Sequence, residues 1–264
     1  MGKVLGLLLW VITIGTVILF AGKWWWFPEG ISNYAADIDA QFNRTLIVVA
    51  TVFVLAQMAL GWVIMAYGSR KRGPASYSHG NNKLEFTWTG VTAAVFVVLA
   101  IMGQRVWAKL HFNEAPADAI AIEVTAQQFA WNFRYPGADG QFGNTDPKLI
   151  DDAGGNPLGV VPDDPAGKDD FWTTTLTIPK DKPVRLILRS KDVIHDFFVP
   201  PLRIKQDAVP GMKIDLHFTA NKAGKYEVAC AELCGLGHYK MKSFMDVVSQ
   251  DEFDRWLKDK AASR

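Results

Sequence analysis

The sequence predicts membrane-spanning α-helices followed by an all-β domain, a sandwich or barrel, outside the membrane. Long uncharged stretches crowd the chain before Trp107. From about Ala119 the pattern changes to short runs of β-type residues separated by Gly, Pro and Asp. Most of the Asp also lies in this second part, so polarity divides the chain where its pattern does. A chain of 264 residues holds one sizeable domain plus such extra segments. A net charge of +1 gives no global basic bias towards nucleic acid.

The uncharged stretches are Val4 to Gly22, Thr45 to Ser69 and Phe86 to Gln104. Each is long enough to cross a hydrocarbon core of about 30 Å as a helix. They place transmembrane helices at 1–22, 45–69 and 85–107. The first stretch, which follows Lys3, also has features of a signal peptide, and its removal would leave two spans. The indoles Trp24, Trp25 and Trp26 after it suit a membrane interface and favour a retained helix. Between the second and third stretches, Gly68 to Leu84 holds Arg70, Lys71, Arg72 and Lys83 and no acid. The excess of Lys and Arg on cytoplasmic loops puts that loop inside and everything after Trp107 outside. Either treatment of the first stretch leaves the domain on that outer side.

Strand-like runs are Ala121 to Thr125, Phe129 to Tyr135, Phe171 to Ile178, Val184 to Arg189, Lys213 to Thr219, Gly224 to Cys230 and Lys242 to Val248. Several short strands with this punctuation suggest a sandwich or barrel over 119–248. Residues 138–170 interrupt them with eight Asp, two Lys and many Gly and Pro, a long surface loop by composition. It is either a passive insertion or an acidic docking surface for a basic partner. Residues 249–264 read as a short amphipathic helix. Ser249 and Glu252 have capping-box spacing, and Phe253, Trp256 and Leu257 share one face.

The two cysteines, Cys230 and Cys234, do not make a disulfide framework. They open the run Cys-Ala-Glu-Leu-Cys-Gly-Leu-Gly-His-Tyr-Lys-Met, ending at Met241. A second imidazole, His195, lies upstream in the β-type run Val-Ile-His-Asp-Phe-Phe-Val-Pro. Thiolate and thioether are soft ligands suited to copper, zinc or iron–sulfur, and imidazole suits copper and zinc. A mononuclear blue-copper site uses one Cys, two His and a weak Met, which leaves one thiolate over. Two thiolates can instead bridge two copper ions, with His195 and His238 as terminal ligands. Met241 and the Glu232 carbonyl then serve as weak axial ligands. A Cys230–Cys234 disulfide and a Cys2His2 zinc site are the competing readings, and each leaves Met241 unexplained.

The run from Cys230 resembles the copper motif of cytochrome c oxidase subunit II, Cys-x-Glu-x-Cys-Gly-x-x-His-x-x-Met. Asp192 to His195, Lys205 to Gly211 and Glu85-Phe-Thr-Trp-Thr89 resemble their counterparts in the same family. The resemblance implies a cupredoxin-like barrel carrying a binuclear copper centre held by His195, Cys230, Glu232, Cys234, His238 and Met241. It implies a magnesium ion shared with subunit I on the Glu232 side chain, with Asp207 near it. Glu85 matches the acid at the mouth of a proton-uptake path. Where the family has Trp-Tyr-Trp for electron input, this chain has Phe129-Ala-Trp131, so the surface indole is replaced. Trp131 serves either as relay or as core.

The resemblance further implies subunit II of a respiratory terminal oxidase in a bacterial inner membrane, with its copper domain on the periplasmic side. Electrons would come from cytochrome c or a membrane-bound cytochrome c. They would pass to haem in subunit I, where oxygen is reduced to water with proton translocation. No Cys-x-x-Cys-His motif is present, so the donor is a separate protein. The copper subunit of a nitric oxide reductase is the nearest alternative. A metal-free quinol oxidase subunit II is a second alternative, against which the full ligand set argues.

Overall fold

The computed structural model describes residues 1–23, 26–68 and 77–262. Trp24, Trp25, Ser69, the basic run Arg70–Arg72 and the last two residues of the expected C-terminal helix lie outside the described residues. The chain divides into two compact units, Met1–Phe27 with Asp37–Trp107, and Pro28–Ala36 with Ala108–Arg264.

The first unit is built on three helices, α1 (Gly2–Gly22), α2 (Ala35–Tyr67) and α3 (Asn82–His111). All three are long and apolar enough to cross a membrane. Their large apolar side chains, among them Leu7, Val52 and Phe96, point outwards. Lipid, not a protein core, is the medium that satisfies such a surface, while the backbone groups pair within each helix. Helix α2 starts at Ala35, ahead of the uncharged stretch. A helix can run on past the hydrocarbon boundary with Asp37, Asp39 and Arg44 on its extension, and counting uncharged residues misses such turns. Helices α1 and α2 pack closely: Trp10 Nε1 donates to the Met58 carbonyl at 3.1 Å. Gly61 makes room for that ring, since a Cβ there would lie 2.3 Å from Trp10 Nε1.

The second unit carries ten strands: β1 (Ile120–Gln127), β2 (Ala130–Tyr135), β3 (Phe171–Thr173), β4 (Thr175–Pro179), β5 (Pro183–Ser190), β6 (His195–Val199), β7 (Ile204–Ala208), β8 (Ile214–Thr219), β9 (Gly224–Cys230) and β10 (Lys242–Val248). They form two five-stranded sheets, β3-β2-β1-β5-β8 and β4-β10-β9-β6-β7. Period-two alternation turns Val184, Leu186 and Leu188 of β5 into the core while Arg185 stays exposed. Ile122, Val124, Phe133, Leu176, Phe197, Val228 and Met245 complete the interior between the sheets. Burying each such side chain contributes roughly 1.5–3 kcal/mol. This is the cupredoxin-like architecture.

Several elements differ from the sequence expectation. The run Phe171 to Ile178 is two strands, not one: β3 pairs with β2 in the first sheet and β4 with β10 in the second. Thr173, Thr174 and Thr175 are alike and β-branched, so composition shows no break where the chain changes sheets. Strand β2 starts at Ala130, because Gln128 and Phe129 form the turn between β1 and β2. Strand β7, Ile-Lys-Gln-Asp-Ala, is too polar to stand out, yet Ile204 and Ala208 are fully buried at the sheet's end. The insertion 138–170 is not a plain surface loop. It has short 3-10 turns at Pro147–Leu149 and Pro165–Gly167, and it buries Leu158 and Asp170. Segment 28–36 also docks on this unit, where Ile31 is 1% exposed and Ser32 forms a β-bridge to Ala220.

Helix α4 (Gln250–Ala262) closes the unit. Ser249 N–H and Oγ donate to Glu252 Oε2 at 2.9 and 2.8 Å, and the Glu252 N–H donates back to Ser249 Oγ at 3.3 Å. This is a capping box. It aims Phe253 and Trp256 at the domain, where Trp256 meets Tyr135 with ring centroids 4.9 Å apart.

Candidate metal centre

Cys230 ends β9 and Met241 directly precedes β10, so the ligand-rich run is the connection of a β-hairpin. The Cys230 N–H donates to the Met241 carbonyl at 3.1 Å, closing that loop at its base. Gly235 has φ +133°, a conformation that L side chains rarely adopt, and it turns the chain back. His195 begins β6, beside β9, with Phe197 paired to Cys230. The imidazole therefore comes from a neighbouring strand to the mouth of the same loop.

The soft donors converge. Cys230 Sγ and Cys234 Sγ are 3.8 Å apart, and both thiols are free. His195 Nδ1 lies 3.9 Å from Cys230 Sγ, and His238 Nδ1 lies 3.6 Å from Cys234 Sγ. Met241 Sδ is 3.7 Å from Cys234 Sγ, and the Glu232 carbonyl is 3.2 Å from Cys230 Sγ. The ligand atoms of His195, Cys230 and Cys234 all fall within 4.8 Å of one another, close enough to share a metal ion. His195, Cys234 and Met241 are buried to 0%, 3% and 2% exposure, which excludes water. Burial and the neighbouring Cys230 push the Cys234 thiol up to about 11, as expected for two thiols crowded without a cation. Metal binding requires the thiolate, so uptake releases protons.

Two contacts that the sequence did not reveal orient His195. Asp192 Oδ1 lies 2.8 Å from its Nε2, which turns Nδ1 towards the sulfurs. Carboxylate partners of this kind fix the tautomer of a metal-binding imidazole. Spacing alone gave a signal for it, since Asp192 and His195 are three residues apart in one turn. Trp131 is 1% exposed and packs edge-on against His195 and Phe197, at centroid distances of 6.2 and 5.7 Å. Phe129 is 40% exposed and lies along the loop: a Cβ on Gly237 would come within 2.4 Å of its ring.

A second cluster flanks the loop. Asp196 and Asp207 face each other across the β6–β7 pair, with Glu232 close enough to act on Asp196. Burial, the hydrogen bond to Asp207 and the negative charges of Asp207 and Glu232 push the Asp196 carboxyl up to about 7, although Lys205 opposes this. Asp196 Oδ1 is buried with no hydrogen-bond partner. Sequence reading found Asp207 and Glu232 but not Asp196, which strand pairing brings to them. Glu85 lies far from both clusters in sequence, in the first turn of α3, and is exposed.

Membrane helices followed by a cupredoxin-like domain with a His/Cys/Met cluster define a membrane-anchored protein with a candidate metal centre. Family models agree in both parts. Residues 22–106 match the transmembrane domain of cytochrome c oxidase subunit II, and residues 170–250 match its periplasmic domain. The chain is 37% identical to an alternative cytochrome c oxidase subunit 2 of Bradyrhizobium diazoefficiens, over 95% of this chain and 90% of that one. It is 31% identical to cytochrome c oxidase subunit 2 of Synechocystis, over 93% and 80%. It is also similar to the solved periplasmic domain of subunit II of cytochrome oxidase from Bradyrhizobium japonicum. That match has 29% identity and a TM-score of 0.42, over 57% of this chain and 99% of that one. The chain belongs to the cytochrome c oxidase subunit II family. It is thus the second subunit of a haem–copper oxidase.

Proposed function

We propose that this subunit receives electrons from a c-type cytochrome, soluble or membrane-bound, and hands them to haem in subunit I. The observation that carries this is the convergence of buried His195, Cys230, Cys234 and Met241 with half-buried His238, all soft or borderline donors suited to copper. Cys230, Cys234, His195, His238, Met241 and the Glu232 carbonyl would together hold two copper ions. When bound, such a pair shares one electron between two metals, which keeps bond lengths nearly constant on transfer. The protein supplies the rest. The two sheets hold the donors rigid, burial keeps water away, and Asp192 holds the His195 ring in one orientation.

Phe129, exposed beside the Cys230–Met241 loop, and Trp131, buried against His195, are the candidates for electron input. Glu232, Asp207 and the buried Asp196 are hard oxygen donors suited to a magnesium ion shared with subunit I. Glu85 is the candidate proton-uptake carboxylate, where it accompanies oxygen reduction and proton translocation by the assembled enzyme. The assembly has other oxidase subunits and lipid around its helices and sits in a bacterial inner membrane, with the β domain on the periplasmic side.

Electron paramagnetic resonance of the copper-loaded, oxidised full chain tests the reading. Two equivalent copper nuclei give a seven-line hyperfine pattern, and Cys234→Ser abolishes it. A four-line pattern from the wild type refutes a binuclear centre.

A further inference from the structure

The turn between β1 and β2 reaches both segments that carry metal-binding side chains. Gln128 lies in it, between Gln127 at the end of β1 and Ala130 at the start of β2. Its side-chain Nε2 donates to the backbone carbonyl of Cys234 at 2.5 Å. Its backbone N–H donates to Asp192 Oδ2 at 2.7 Å. The other oxygen of Asp192 is the one that meets His195 Nε2, at 2.8 Å. One residue of the first sheet thus fixes the Cys234 peptide and the carboxylate that orients His195. The loop leaves space for this contact: a Cβ on Gly235 would lie 2.8 Å from Gln128 Nε2.

The consequence follows from peptide geometry. Holding the carbonyl of Cys234 restrains the peptide plane that follows it, which narrows the rotation about the Cα–C bond of Cys234 and so the directions open to its Cα–Cβ bond. That direction decides whether the thiol faces Cys230. A connection between two strands is otherwise free to sample many conformations, and each costs the site its preorganisation. We infer that Gln128 is a positioning residue of the metal centre. Its amide holds Cys234 with the thiol facing Cys230, ready for metal. The inference rests on the proposed copper site for the identity of the metal, and on the hydrogen bonds alone for the positioning.

The test compares the full-length wild-type chain in detergent with Gln128→Leu, and with Gln128→Met as a second variant if Gln128→Leu does not fold. Both replacements keep the bulk and remove the donor, while the backbone N–H to Asp192 remains. In the metal-free, reduced state, the rate of Cys234 alkylation by iodoacetamide is followed by mass spectrometry. Copper affinity is then measured by chelator competition, and the hyperfine pattern is recorded after loading. Loss of a supporting hydrogen bond costs on the order of 10-fold in metal affinity. The expected result is copper binding weaker by about that factor, faster Cys234 alkylation, altered hyperfine splitting and an unchanged thermal midpoint. A purely structural role would move the thermal midpoint and leave the hyperfine splitting alone. Alkylation rate and copper affinity both within twofold of wild type overturn the inference. If the wild type takes up no copper, the copper site fails, and the alkylation rates still decide the role of Gln128.

Discussion

Phe129 and Gly237 show how closely the loop is fitted to the turn beside it. Gly237 has ordinary backbone angles, so alanine is conformationally acceptable there. Its added Cβ would nevertheless lie 2.4 to 2.7 Å from three atoms of the Phe129 ring. Overpacking of this kind typically costs about 1–3 kcal/mol. Gly237→Ala is expected to lower the thermal midpoint of the chain and to disturb the copper spectrum. Phe129→Ala added to it restores both, because the ring that clashes is gone. A double variant no better than Gly237→Ala would show that the ring and the loop are not coupled. The motif Cys-Gly-Leu-Gly-His therefore has one glycine for backbone conformation and one for space.

Charges buried on the outer face of the first sheet explain why the insertion has a fixed path. Glu123 and Arg134 are 5% and 1% exposed, although both sit on the sheet face opposite the core. Arg134 pairs with Glu123 at 3.0 Å and with Asp170, and Glu123 also takes Arg189 at 2.7 Å. Asp170 additionally accepts from the Gly143 N–H at 2.9 Å. The two ends of the insertion are thereby tied to one guanidinium. Removing one member leaves an uncompensated buried charge, which costs about 3–5 kcal/mol. Arg134→Met is expected to lower the unfolding free energy by that order and to expose the insertion to proteolysis. An insertion that stays protease-resistant would count against the tie. Helix α4 gives a pH test. The backbone and hydroxyl of Ser249 hold the Glu252 carboxyl below its ordinary value. Its stabilisation is therefore complete above the usual carboxylate range and is lost as pH falls through the lowered value. Trp256 fluorescence should report loosening of α4 in that acid window, and Ser249→Ala should weaken the dependence without abolishing it, because the backbone N–H still donates to Glu252.

The β domain carries an exposed apolar patch beside the candidate centre and an acidic insertion. Leu233, Leu236 and Tyr239 surround the candidate centre at 77%, 98% and 76% exposure, a patch that asks for a protein partner. The acids of the insertion have a second use that composition hides. Asp139, Asp146, Asp151 and Asp164 each accept from backbone N–H groups of their own loop, and Asp169 accepts from Ala138. Turn formation thus accounts for much of the Asp content. The remaining negative field can still attract a basic donor. If it does, oxidation of a basic cytochrome c by the assembled enzyme slows as salt rises. Rates indifferent to ionic strength would leave docking to the apolar patch.

The sequence by itself determined the parts whose signal is local. Apolar length announced three spans, short β-type runs announced most strands, and Cys230 to Met241 announced a cluster of candidate metal donors. Each depends on neighbouring residues, so spacing along the chain suffices. Tertiary structure decided what depends on meetings between distant segments. Thr174 carries the chain from one sheet to the other without a break in composition. Asp196 joins Asp207 and Glu232 only because β6 pairs with both β7 and β9. Trp131 became a core residue beside His195, and Gln128 became the link between two ligand segments. A side chain's partners across a sheet follow from register and sheet order, and the chain settles these by burying its whole core at once.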